Sequence, residues 1–166
     1  MRRVAQAVRI TPMAIYRHYR DRADLLNALA DDGFEQLAAR LASRSFSGSV
    51  EHRLMKMAEI YLDHALESPR LFELMFLKPR KGARRYPRDF VAGRSPTANL
   101  MVDVVREGME SDYFRKDNAL EIVLEMGALC LGLIMLYLGG RMDMPPVRFR
   151  ALYRRSIRRY THGIRN

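Results

Sequence analysis

Residues 2–26 read Arg2-Arg3-Val4-Ala5-Gln6-Ala7-Val8-Arg9-Ile10-Thr11-Pro12-Met13-Ala14-Ile15-Tyr16-Arg17-His18-Tyr19-Arg20-Asp21-Arg22-Ala23-Asp24-Leu25-Leu26. Residues 2–8 form one helix-compatible run, with Val4, Ala5 and Val8 on one side. A three-residue turn, 9–11, follows. Thr11 is a good N-cap, and Pro12 stands at the first helical position, where its missing N–H costs nothing. The second run, 12–19, therefore starts a new helix, and the spacing is that of a helix-turn-helix. Such a motif lays its second helix in the DNA major groove, with its N-terminal residues at base edges. Ala5, Val8, Ile10 and Ile15 are expected to pack the two helices together. Met13 and Ala14 can touch thymine methyls but cannot read guanine bidentately. Tyr16, Arg17, His18 and Arg22 have donors for phosphate oxygens, as has Thr11 beyond its capping role. Arg2, Arg3 and Arg9 add charge.

The charge of the chain supports an anionic partner. The whole carries +10 at pH 7. Residues 1–22 hold six arginines against Asp21, a net +5. Residues 78–94 carry a net +6, and residues 141–166 hold eight arginines against Asp143. The last two basic segments are read as solvated faces. The arginines of 146–163 would also suit a helix on a membrane surface, but no second membrane signal accompanies them.

Outward from the motif the chain reads as all-α. Sustained alternation of β-branched residues is missing, and helical spacing recurs. A third helix starts near Asp21 or Arg22 and runs to about Ser43. Ser45-Phe46-Ser47-Gly48-Ser49 has the composition of a linker. Helices are then expected over 50–67, from Pro69 to before Pro79, over 96–110, from an Asp117 cap to Leu138, and from Pro145-Pro146 to about Gly163. Residues 79–93 read as a basic loop. The longest apolar stretch, Met126 to Gly140, falls short of the ~20 residues a membrane span needs. At 166 residues the chain can bury a core without staples. Its one cysteine, Cys130, forms no intramolecular disulfide. A reducing cytoplasm is the expected compartment.

The run Arg3 to Leu26 closely resembles the DNA-binding signature of the tetracycline-repressor (TetR) family. That signature's entry, turn, aromatic core, basic residue and leucine pair read here as Val4-Ala5, Arg9-Ile10-Thr11, Ile15-Tyr16-Arg17-His18-Tyr19, Arg22 and Leu25-Leu26. The run Tyr61 to Phe76 is similar to one branch of the family's C-terminal domain. In that branch the long helix has a His-Gly pair where this chain has Leu131-Gly132. The resemblance implies a DNA-binding domain over 1–44 and a ligand-binding and dimerisation domain over 45–166. Pro12 joins the DNA-facing set as the first residue of the recognition helix. Arg9 stands where the family usually has a turn glycine. The family also has a helix before this motif, so the DNA-binding domain is expected to be incomplete at the N-terminus.

A ligand pocket is expected between the middle helices, with Tyr61, His64, Phe72, Met75, Phe76, Met101, Val105, Met109 and Met126 as candidate lining. Methionine adapts to loosely shaped apolar ligands. Helix 117–138 is apolar all round from Met126 and must be buried on several sides, within the chain or between two copies. The expected dimer interface draws Gly127, Leu131, Gly132 and Met135 from it, and Leu152, Ile157 and Tyr160 from the last helix. No phosphate-binding glycine loop, zinc spacing or nucleophile elbow is present, so no cofactor, metal or catalytic residue is expected. The reading is a homodimeric, ligand-responsive transcriptional regulator, most often a repressor released from operator DNA by an apolar small molecule. The alternative is a helical small-molecule-binding or interaction protein that no longer binds DNA.

Overall fold

The computed structural model describes residues 1–42 and 47–166. The expected domain boundary at 44/45, the end of the third helix near Ser43 and the first two linker residues lie outside the described residues. Among the described residues there are nine helices. They are α1 (Arg2–Ala7), α2 (Pro12–Tyr16), α3 (Arg22–Ala42), α4 (Val50–Glu67), α5 (Pro69–Phe76), α6 (Arg88–Val91), α7 (Pro96–Glu110), α8 (Ala119–Leu138) and α9 (Pro146–Gly163). The fold is all-α, and its β-type pairing is an isolated bridge between Phe114 and Arg165.

Local chemistry sets most helix starts. Thr11 accepts from the Ala14 amide at 3.2 Å, and Ser49 accepts from the His52 amide at 3.3 Å. Proline opens α2, α5, α7 and α9. The α8 cap is Asn118, not Asp117: Asn118 Oδ1 accepts from the Leu120 and Glu121 amides, while Asp117 accepts from the Asn118 amide.

α4 is the central helix, packed against α3, α5, α7, α8 and α9. α3 buries Ala30, Gly33, Leu37 and Leu41 along one stripe. Gly33 permits a close approach to α5, since a Cβ there would lie 2.7 Å from Met75 Sδ and 3.2 Å from Leu71 Cδ1. α9 buries Phe149, Tyr153, Ile157 and Thr161, every fourth residue, against α4 and α8. Phe149 stacks on Tyr137 at 4.0 Å, and the Tyr153 hydroxyl donates to the Ala58 carbonyl at 3.0 Å.

The basic face of α9 is more than a solvated surface. Arg150 pairs with Asp63 at 2.6 Å, Arg154 with Glu59 at 2.7 Å and Arg158 with Glu51 at 3.9 Å. This ladder runs antiparallel along α4. Each such half-exposed pair adds at most about 1 kcal/mol, so the ladder contributes more to register than to stability.

Of the two ways expected to bury α8, within the chain or between two copies, the single chain supplies one side only. Only Ala119, Ile122, Val123, Met126, Cys130 and Ile134 are buried in the chain. Leu124 and Leu136 are 40% and 47% exposed. The helix is also longer than the uninterrupted apolar stretch, because its first turns continue past Glu121 and Glu125. Its most apolar 18-residue window has a mean hydropathy of 2.1, so the helix is long and apolar enough to cross a bilayer. In this fold it is a layer of the bundle, packed on α4, α7 and α9.

Candidate functional site

Two places stand out: the basic tip formed by α1 and α2, and a cavity between α3, α4, α5, α7 and α8. At the tip, Ala5 is wholly buried and Ile15 is 6% exposed, and they join the two helices. Val8 and Ile10, expected at the same junction, are 58% and 47% exposed. Helices of six and five residues meet over too short a length to cover four side chains. Arg9 has φ 57°, the left-handed value a turn glycine would take without cost. Arginine there costs roughly 1 kcal/mol.

The expected DNA-facing residues Arg2, Arg3, Arg9, Thr11, Pro12, Met13, Tyr16, Arg17, His18 and Arg22 are all exposed on this tip, and Ala14 is half-buried. α2 ends at Tyr16, earlier than the expected Tyr19. The His18 and Tyr19 amides both donate to the Ile15 carbonyl, so Arg17 and His18 lie in the closing turn. Asp21 Oδ1 then accepts from the Asp24 amide at 2.8 Å and starts α3. Among the described residues, ion pairing on this tip ties down Arg20, to Asp24, and leaves the other arginines to solvent.

The cavity has a volume of about 380 Å³. Pockets of roughly 300–1,000 Å³ take small organic molecules. Of the expected lining, Tyr61, Met75, Phe76 and Met101 border it. His64, Phe72, Val105, Met109 and Met126 do not; they are buried in the core. Periodicity marks the side of a helix that turns inward, and cannot separate a wall from the packing behind it. Phe72 supports the wall, with ring centroids 5.1 Å from Tyr61 and 4.6 Å from Phe76. His64 Nε2 lies 3.5 Å from Met75 Sδ, and burial holds the imidazole below its ordinary pKa. Burial also pushes the Cys130 thiol up to about 11, which makes it a poor nucleophile.

Several lining residues were not legible: Phe34 from α3, Phe90 from α6, and the cations Lys78, Arg80 and Arg84. The cations belong to the segment read as a solvated basic loop. That segment is instead folded over the cavity and tied by Asp89, which is 4% exposed. Asp89 accepts from the Arg88 and Arg94 guanidinium groups and from the Arg85 amide. Arg88 above all, with the Arg85 amide, lowers the Asp89 carboxyl to about 2 from an ordinary 3.8. Because the folded pKa is the lower one, this contribution is complete above the ordinary value and fades as pH falls from about 4 towards 2. Asp89→Asn is therefore expected to loosen the loop at neutral pH, with faster trypsin cleavage after Arg84, Arg85, Arg88 and Arg94. The difference in unfolding midpoint between variant and wild type should shrink as the pH is lowered from 5 to 2. A difference independent of pH would contradict the ionic knot.

Of the expected interface residues, Gly127, Leu131, Gly132 and Met135 are partly or fully exposed on α8, and Gly127 and Leu131 also border the cavity. Leu152 and Tyr160 are half-buried, and the Tyr160 hydroxyl donates to Glu125 at 2.7 Å. Ile157 is wholly buried within the chain and has no surface to offer a partner. It occupies the inward stripe of α9, four residues from Tyr153 and Thr161.

A family model described as "Tetracyclin repressor-like, C-terminal domain" matches residues 54–160. Among solved structures, a protein with unknown function from Rhodococcus sp. RHA1 is similar over 99% of this chain and 84% of its own, at 27% identity and a TM-score of 0.78. A bacterial regulatory protein in the tetR family from Rhodococcus RHA1 shows the same fold at 17% identity and a TM-score of 0.72, over 99% of this chain and 85% of its own. PfmR from Thermus thermophilus, a TetR family transcriptional regulator, does so at 17% identity and 0.74, over 99% and 88%. No curated protein matches the chain.

Proposed function

The chain belongs to the tetracycline-repressor family, and from that premise we propose that it is a homodimeric DNA-binding transcriptional regulator, a cytoplasmic repressor released from its operator by a small molecule. The observation that carries this reading is α3. Its N-terminal end follows the basic tip directly, and its Phe34 and Leu41 border the cavity. A helix of 21 residues is about 30 Å long, so a tilt of about 5° imposed at the cavity moves the far end by roughly 2–3 Å. Two recognition helices on a two-fold axis must sit about 34 Å apart to enter successive major grooves. A shift of that size in each protomer spoils the spacing. The coupling is reciprocal: operator must weaken ligand by the same factor as ligand weakens operator.

Selection of binding sites from random duplex DNA tests the reading, and enrichment of a two-fold-symmetric sequence is the expected result. Tyr16→Phe, His18→Ala and Arg17→Ala are expected to weaken binding to every sequence alike, since these groups serve phosphates. Arg17→Ala should also reduce the slope of log affinity against log salt by about 1. A loss confined to one base position would contradict the assignment. The strained φ of Arg9 favours a second reading, a helical small-molecule-binding protein without operator affinity. Dimerisation with no enriched DNA, in a folded protein, would establish it.

A further inference from the structure

The cavity is apolar over most of its wall, yet its polar rim has one sign. Lys78, Arg80 and Arg84 border it, and among the described residues no aspartate or glutamate does. Arg80 is the unusual member. Its side chain is only 7% exposed, and one terminal nitrogen donates to Asp31 at 3.1 Å. Its Nε–H is buried without a partner among the described residues. A buried donor in a native fold calls for a missing acceptor. The guanidinium groups of Arg80 and Arg84 lie 5.7 and 5.0 Å from the Phe34 ring centroid. Arg84 Nε donates to the Arg94 carbonyl at 2.6 Å, which fixes the second cation against the same ring. Asp31, the partner of Arg80, is 56% exposed at its side chain, so its charge is screened on the water side.

We propose that this cavity binds an amphipathic organic anion, with a carboxylate head on Arg80 and a hydrocarbon body along Phe34, Met57, Tyr61, Phe76 and Met101. The assignment of that anion as the effector rests on the regulator reading above; the anion site itself does not. A carboxylate accepts the free Nε–H and balances the cationic rim. The thioethers of Met57, Met75 and Met101 let the apolar part vary in shape. A neutral hydrocarbon of the same size fills the volume but leaves Arg80 Nε unmatched, and a hydroxyl accepts from Nε without balancing the cationic rim, so both are disfavoured against a carboxylate.

Calorimetric titration with decanoate and with decan-1-ol tests this, because the two share a chain and differ in the head. Wild type should bind decanoate at least about 10-fold more tightly than decanol, the order of one charge-assisted hydrogen bond. Arg80→Gln should weaken decanoate by about 10- to 100-fold. Decanol affinity should stay within about twofold in the same variant, since the glutamine amide still donates to a neutral hydroxyl but no longer balances a carboxylate. Arg80→Lys keeps the charge, the stem beside Phe34 and a partner for Asp31, but has no Nε–H. It should fold as wild type does and recover only part of the loss, so the test survives a Gln variant that fails to fold. Equal affinity for the two probes, decanoate binding indifferent to Arg80, or no binding of either by folded wild type overturns the proposal. Arg80-dependent decanoate binding without an enriched operator keeps the anion site and overturns the regulator reading. An enriched operator without Arg80-dependent binding does the reverse.

Discussion

Leu136→Glu is expected to leave the protein monomeric and to lower operator affinity at least about 100-fold, the scale on which linked half-site contacts reinforce each other. The argument starts from the two faces of α8. Ile122, Val123, Met126, Cys130 and Ile134 are buried in the bundle, while Leu136 stands open at 47% exposure and Leu124, 40% exposed, edges the cavity. A Cβ placed at Gly132 meets no atom within 4 Å, so a second helix can approach closely there. An apolar helix face of this length is costly to leave in water, and a two-fold partner covers it with an identical face. Leu136 is the residue to change because it is exposed in the single chain and does not border the cavity, whereas Leu131 does. A glutamate there is harmless to the monomer and becomes an unpaired buried charge in the dimer. Sedimentation equilibrium at micromolar concentration reads the first effect, and operator titration the second. A variant that stays dimeric places the interface elsewhere.

The same helix shows where the sequence was informative and where it was silent. Its length and apolar character were plain, but composition does not say which apolar face a chain keeps for itself. That depends on which neighbours fold back, and the inward stripe became visible only once α7 and α9 were in place. Helix starts were legible where their signals are local: Pro12, Pro69 and Pro146 each open a helix, and Thr11 caps. The end of α2 was not, since Arg17-His18-Tyr19 contains no breaker and the helix closes through a shared bond to the Ile15 carbonyl. The four-residue α6 was invisible for want of a period. The cationic rim was misjudged for a physical reason. A run of arginines looks alike whether water or protein surrounds it, and here two carboxylates distant in sequence or buried, Asp31 and Asp89, decide its place. Five of the nine residues expected in the cavity wall are buried in the core instead of bordering the cavity.

One of those five residues leads to the second large effect. Phe72→Ala is expected to cost about 3–5 kcal/mol of stability, the range for a fully buried phenylalanine. For a chain of this size that is a fall in unfolding midpoint of roughly 10 °C. Phe72 has no exposed surface and lies behind Tyr61 and Phe76, whose rings meet each other at 5.2 Å and form the cavity wall. Removing its ring leaves a hole on the core side of that wall. Tyr61 and Phe76 then lose the packing that fixes their rotamers, and the cavity gains volume it does not have in the wild type. Ligand affinity should therefore fall as well, although Phe72 borders no ligand. Met101→Ala separates the two roles: it trims a half-buried lining residue, so ligand affinity should change while stability drops by less than for Phe72→Ala. Thermal unfolding of both variants, with and without decanoate, reads the comparison. A Phe72→Ala protein within about 1 kcal/mol of wild type would mean that the wall stands without the ring behind it, contrary to the burial cost expected of a packed core.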